Sequence, residues 1–180
     1  LIGRDAALAE VISHLETSRL VTLFGMGGLG KTSLSIEAGR RSASNYPDGV
    51  WFADLAAISD PSAVALAIAG LFGVSRQSEK SMLESLVDAL RGRRLLIILD
   101  NCEHLTSATA TVADAILTTC PKISIIATSR ELLSISGEQV MQLPPLQISG
   151  NNAPAIELFT ERAKAVSLDF QIANSESDVR

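Results

Sequence analysis

The chain has 180 residues, 47% of them hydrophobic and 19% charged, a balance that excludes a disordered or fibrous protein and suffices for one well-buried domain with room for the start of a second. Its formal net charge of −5 argues against an electrostatic nucleic-acid binder, so DNA contact is expected only through domains outside this segment. Mean hydropathy is positive at +0.28, yet the uncharged run 61–75 is too short for a membrane span and is broken by Gly70 and Gly73, which points instead to a sheet buried on both faces. The chain opens without methionine and without a charged, cleavable apolar leader, and we read it as a segment of a longer cytoplasmic protein. Cys102 and Cys120 lack metal-ligand spacing and fit a reducing compartment as small buried hydrophobes.

In chain order, LVTLF (20–24) reads as a strand that enters a glycine turn, and TSLSIEAGRRSA leaves that turn as a helix. GVWFADL (49–55) is a second strand. DPSAVALAIAGLFG is a helix with Asp60 as N-cap, Pro61 at its first position, Val64, Ile68 and Leu71 on one face, and Gly73 as its stop. EKSMLESLVDALRG repeats the pattern and ends at Gly92. RLLIILD (94–100) is the most buried strand, because five successive aliphatics leave no polar face for water. TATVADAILTTCP is a helix stopped by Pro121, KISIIATSR a fourth strand and QVMQL (139–143) a fifth. This alternation predicts an α/β fold with a mostly parallel five-stranded sheet between helical layers. After Pro144 and Pro145 the pattern changes: Ile156, Phe159, Ala163 and Val166 recur at helical spacing, as though opening a separate helical piece, and the polar tail 173–180 is expected to fray. We divide the chain into a core, 1–146, and the first part of a helical lid, 147–180.

The stretch TLFGMGGLGKTSL satisfies two fingerprints at once. Gly25, Gly27 and Gly30 spell the dinucleotide turn, while Gly25, Gly30, Lys31 and Thr32 spell the P-loop. At ordinary glycine frequencies the first arises by chance in about one chain in seventeen of this length, the second in roughly one in two hundred, so the Lys-Thr ending carries most of the information. In a P-loop, Gly25, Met26, Gly27, Gly28, Leu29, Gly30, Lys31, Thr32 and Ser33 wrap the phosphates of ATP or ADP. Backbone N–H groups and a helix N-terminus point at phosphate oxygens, Lys31 lies between the β- and γ-phosphates, and the Thr32 hydroxyl ligates Mg²⁺. Lys31 is expected to be exposed and to contribute little to stability. Asp54 supports the dinucleotide alternative as a ribose ligand, against the plainer reading that it caps its strand.

LLIILDN favours the P-loop. A carboxylate closing a wholly apolar strand is costly unless a cation offsets it, and a magnesium ion held opposite Thr32 would do so, which makes Asp100 the Walker B acid and second metal ligand. Thr128, Ser129 and Arg130 end the fourth strand on the same edge, the edge where open parallel sheets bind ligands. Arg130 either reaches a γ-phosphate or simply caps the surface or pairs with Glu131. His14 and His104 belong to no metal-like grouping; His14 is expected on a helix surface and His104 in a structural role.

LIGRD, FGMGGLGKTSL, LLIILDNCEHL, IIATSRELLSISGEQVMQLPPL and AIELFTERA together resemble the nucleotide-binding module of STAND-class ATPases, relatives of NB-ARC proteins. The closest likeness is to the ATPase region of bacterial LuxR-type and related multidomain transcriptional regulators. The resemblance implies that Ile2, Gly3 and Arg4 approach the adenine and phosphates, that Arg130 is a sensor arginine, and that Pro144, Pro145 and Leu146 link core to lid, with Pro145 against the nucleotide. It further implies other domains of one regulator as partners, no membrane, and self-association that depends on nucleotide. Many members carry a second acid directly after the Walker B aspartate, where this chain has Asn101. An amide orients water but takes no proton; Glu103, two residues further on, is the alternative base unless it points away from the γ-phosphate.

Three functions remain open from the sequence. A nucleotide switch with slow hydrolysis fits best. A turnover enzyme such as a kinase or motor ATPase needs an acceptor site or arginine finger that the sequence does not display, and a non-hydrolysing scaffold draws its support from Asn101.

Overall fold

The computed structural model describes residues 1–146 and 153–166, with no account of the side chains of 164–166. The chain runs α1 (Asp5–Thr17), β1 (Leu20–Phe24), α2 (Lys31–Ser42), β2 (Val50–Asp54), α3 (Val64–Leu71), α4 (Met82–Leu90), β3 (Leu96–Asp100), α5 (Thr106–Thr119), β4 (Ser124–Ser129), β5 (Glu138–Gln142) and α6 (Pro154–Val166), with short 3-10 turns at Ala43–Asn45, Pro61–Ala63 and Cys102–His104. The expected strands and helices are all present. The frayed tail, 173–180, and much of the expected lid segment lie outside the described residues.

The five strands form one parallel sheet in the order β2-β3-β4-β1-β5. The three inner strands carry the aliphatic runs and are buried, whereas β2 and β5 at the edges are partly open. One core cluster joins α3, α4 and α5 to one face through Ile68, Leu86, Leu90, Ile97, Ile116 and Ile125. The other packs α1 and α2 on the opposite face through Leu8, Val11, Leu34, Ala38, Val21 and Ile98, which makes three layers. Gly39 brings α2 close to the sheet: a Cβ there would stand 2.9 Å from both Ile98 Cδ1 and Val50 Cγ1.

Local signals set the element ends. Asp60 accepts from Ser62 N at 2.9 Å, and Pro61 opens a 3-10 turn that feeds α3. Ser81 and Glu84 form a reciprocal capping box on α4. All five strands point their carboxyl ends to one edge, so residues 25–30, Asp54, Asp100 and Arg130 emerge together there. No helix among the described residues is long and apolar enough to cross a membrane.

Candidate functional site

β1 delivers the glycine loop to the sheet edge and α2 carries it away. Gly25, Gly28 and Gly30 have φ of 154°, 80° and 83°, conformations that cost any other L-residue energy. Gly30, in the left-handed region, is the residue from which α2 starts. The first N–H groups of α2 have no acceptor within the helix, so the loop presents unpaired donors and the positive end of the helix dipole.

Lys31 departs from expectation. It is buried, not exposed, and its ammonium donates to Gly25 O at 2.7 Å and Met26 O at 2.9 Å. Packing beneath the loop accounts for this, because the first turn of α2 lies against the sheet. Desolvation holds the ammonium below its usual pKa; Glu103 opposes the shift, Arg130 adds to it and Asp100 opposes it.

Asp100, at the end of β3, is 2% exposed. Its oxygens accept from Thr32 Oγ1 at 2.8 and 3.0 Å, from Thr128 Oγ1 at 2.5 Å and from Asn101 Nδ2 at 3.0 Å. All of these donors are neutral, and among the described residues no ion pair reaches the carboxylate. The strand order explains the contact: β4 lies between β1 and β3, and its Thr128 props Asp100 from behind while Thr32 meets it from α2.

Asn101 has φ 61°, the left-handed conformation that asparagine tolerates better than most residues. That turn aims its Nδ2 at Asp54 Oδ1, 3.2 Å away, as well as at Asp100. Asp54 Oδ1 also accepts from Ala56 N at 2.9 Å, so it caps its strand and in addition holds Asn101. Sequence reasoning missed this link, because it depends on the strand register that sets Asp54 opposite Asp100.

The same turn sets the direction of Glu103. Its Oε1 lies 2.9 Å from Arg130 Nε, so the carboxylate faces the loop. Arg130 pairs with Glu103 and not with Glu131, whose Oε2 accepts from Thr106 Oγ1 at 3.3 Å. The Arg130 guanidinium lies over the glycine loop, where a Cβ on Gly27 would stand 3.4 Å from Nη2. His104 Nε2 meets Ile58 O at 2.8 Å and ties this turn to the loop after β2. His14 lies 3.6 Å from Glu10 on the surface of α1. Cys102 and Cys120 are buried free thiols, and desolvation raises Cys102 to about 12.

Beside the loop opens a cavity of about 560 Å³, walled by Ile2, Leu29, Pro145, Leu146 and Leu158 with Arg162 at one side. Arg4 closes its base: Nη1 donates to Pro144 O at 2.8 Å and Nη2 to Leu29 O at 2.9 Å. The guanidinium thus braces the chain, and burial lowers its pKa. Gly3 lies against Pro154 at the start of α6. The structure therefore gathers 25–33, Asp100, Asn101, Glu103 and Arg130 along one edge, with Ile2, Arg4 and Pro145 around the neighbouring cavity. Leu158 and Arg162 escaped sequence reading because their place on the wall depends on how α6 docks.

A family model described as AAA domain matches residues 14–136. An uncharacterized protein of Mycobacterium tuberculosis is 37% identical over 171 residues, covering 95% of this chain and 43% of that protein. Another protein of that species, provisionally named an HTH-type transcriptional regulator, is 42% identical over 160 residues, covering 89% of this chain and 18% of its own length. Regulatory protein AfsR of Streptomyces griseus is 26% identical over 172 residues, 88% of this chain and 17% of AfsR. The chain thus spans less than half the length of these relatives. Among solved structures, Cdc6p from Pyrobaculum aerophilum superposes with a TM-score of 0.65 at 18% identity, over 90% of this chain and 49% of that one. A STAND protein with a tetratricopeptide repeat sensor from Pyrococcus horikoshii superposes with 0.58 at 17% identity, over 97% of this chain and 26% of that one. At such identities these likenesses establish the fold.

Proposed function

Because this chain belongs to the AAA domain family of P-loop ATPases, we propose that it binds Mg-ATP or ADP at the sheet edge and serves as a slowly hydrolysing switch inside a larger cytoplasmic regulator. The observation that carries this reading is the contact of Thr32 with Asp100, 2.8 Å long, at the foot of the glycine loop.

The donor set fits a magnesium ion. A hydroxyl and a buried carboxylate supplied only with neutral donors make a hard, electrostatically incomplete oxygen pair. No cluster of three or more His, Cys, Asp or Glu side chains that could hold a metal occurs among the described residues, and magnesium takes its remaining ligands from water and phosphate. When bound, the ion neutralises charge on the phosphates. Thr32 and Asp100 would hold it, Lys31 would leave its two carbonyls for the β- and γ-phosphates, and the N–H groups of 26–33 would bind phosphate oxygens. The adenine enters the cavity between Ile2, Pro145 and Leu158, which lends the apolar walls that a base needs.

Arg130 reads the γ-phosphate, Asn101 orients water and Glu103 is the general base. The core, 1–146, and the lid that opens at 147 close on the nucleotide, and the γ-phosphate state is passed to the regulator's other domains. The likeness to HTH-type and AfsR regulators supports such a setting, with DNA contact in domains outside this chain; nucleotide-dependent self-association belongs to the same proposal.

Calorimetric titration with ATP and ADP, with magnesium and with chelator, tests the reading. Magnesium-dependent ATP binding is expected, and its absence would overturn it. Single-turnover hydrolysis then separates the switch from the non-hydrolysing scaffold, which is favoured by the engagement of the Asn101 amide with two carboxylates.

A further inference from the structure

Besides the contacts of Lys31 and Thr32, nucleotide binding at this edge must alter the ion pair between Glu103 and Arg130. Arg130 follows Ser129, whose carbonyl accepts from Gly25 N at 3.3 Å, so the arginine is anchored beside the root of the loop. Its guanidinium overhangs Gly27, and its Nε meets Glu103 Oε1 at 2.9 Å. Both charges act on the Lys31 ammonium, in opposite senses. A carboxylate and a terminal phosphate offer a guanidinium the same thing, a pair of anionic oxygens that accepts parallel N–H bonds.

Resting on the nucleotide reading above, we infer that Glu103 is an internal stand-in for the γ-phosphate. Its carboxylate occupies Arg130 whenever the γ position is empty, so a triphosphate must take the guanidinium from Glu103 whereas a diphosphate leaves the pair intact. The pair therefore biases the site toward the diphosphate state. The exchange also frees Glu103 only when there is a γ-phosphate for it to act on, which keeps the base idle in the absence of substrate.

The bias is small and measurable. The Arg130 side chain is 62% exposed and that of Glu103 22%, and pairs this open are worth a factor of about two to five. Affinities for ADP and for a non-hydrolysable triphosphate analogue are measured by calorimetry in magnesium on the wild type, Glu103→Ala, Arg130→Ala and the double variant. Glu103→Ala should raise the ratio of triphosphate to diphosphate affinity about two- to five-fold, and Arg130→Ala should lower it. The double variant should match Arg130→Ala, because the stand-in has no effect without the arginine it occupies. Glu103→Gln, which keeps the side-chain volume and folds if the alanine variant does not, should shift the ratio in the same direction. An unchanged or lowered ratio in both Glu103 variants, or a Glu103 effect that persists without Arg130, would overturn the inference while leaving nucleotide binding standing. A wild type that binds neither ligand would remove the site reading and this inference with it.

Discussion

Replacing Gly3 by alanine tests whether α6 and the amino-terminal segment jointly shape the cavity. Gly3 has φ +62°, and a Cβ there would stand 2.2 Å from Pro154 Cβ, 2.7 Å from Pro154 Cγ and 3.3 Å from Leu146 Cδ2. Carbon atoms in contact need about 3.5–4.0 Å, so the start of α6 must retreat by more than about 1 Å. Gly73 provides the control, since its φ is +64° and nothing lies within 4 Å of its added Cβ. Both substitutions carry the same left-handed strain, about 1 kcal/mol, worth roughly 2–4 °C of melting temperature in a domain of this size. Only Gly3→Ala adds the collision, and overpacking of this kind costs about 1–3 kcal/mol. Because α6 yields before the core does, that cost falls on nucleotide binding and weakens it about fivefold or more. The single tryptophan, Trp51, packs on Phe72 with ring centroids 4.7 Å apart, and its fluorescence reports core unfolding while calorimetry reports affinity. Equal affinity in Gly3→Ala and Gly73→Ala would refute the argument that α6 forms a wall of the site.

Further outcomes follow from the same geometry. Asp100→Asn should lose the magnesium-dependent part of ATP binding and keep most of the metal-free part, as titration with and without chelator will show. Asn101→Asp sets a third carboxylate against Asp54 and Asp100, so it should cost about 1.5–3 kcal/mol in denaturant titration without metal, and Asp54→Asn in the same chain should restore part of the loss. Lys31→Met should abolish triphosphate binding. Because desolvation lowers the Lys31 pKa in the fold, the unfolded chain binds more protons in the alkaline range, and the wild type should gain stability relative to Lys31→Met as pH rises toward 10.5. Glu37 is lowered to about 2 by hydrogen bonds from Arg40 and Arg41. The stability lost in Glu37→Gln should therefore be present at neutral pH and fade as pH falls from 4.5 toward about 2, as urea titrations across that range will show.

How much of this was legible in the sequence depended on whether local pattern or tertiary placement decided the feature. The inner strands announce themselves because a parallel strand covered on both faces has no polar side to show, as Leu95 to Leu99 illustrate. The loop was equally plain, since its glycines and Lys-Thr ending serve one geometry. The environment of Lys31 was not, because burial depends on how α2 packs on the sheet. Nor was the direction of Glu103, which hinges on the left-handed backbone at Asn101, a choice that residue identity permits without dictating. The Asp54 link required strand register, and the cavity wall at Leu158 required the docking of α6.

The strand order has a consequence for how the chain reaches this state. Of the five described strands β1 is made first, yet both of its neighbours come late: Leu20 pairs with Ile125 of β4 and with Glu138 of β5. β2 and β3 meanwhile pair with each other, and β4 extends that pair on the side away from β2. At ribosomal rates of about 5–20 residues per second, β1 waits on the order of ten seconds for its first partner. Throughout that interval an apolar strand and the glycine turn attached to it have no sheet to join. Within this sheet the strand synthesised first is thus among the last to be paired, and nucleotide cannot assist folding of the site until the fourth strand has left the ribosome.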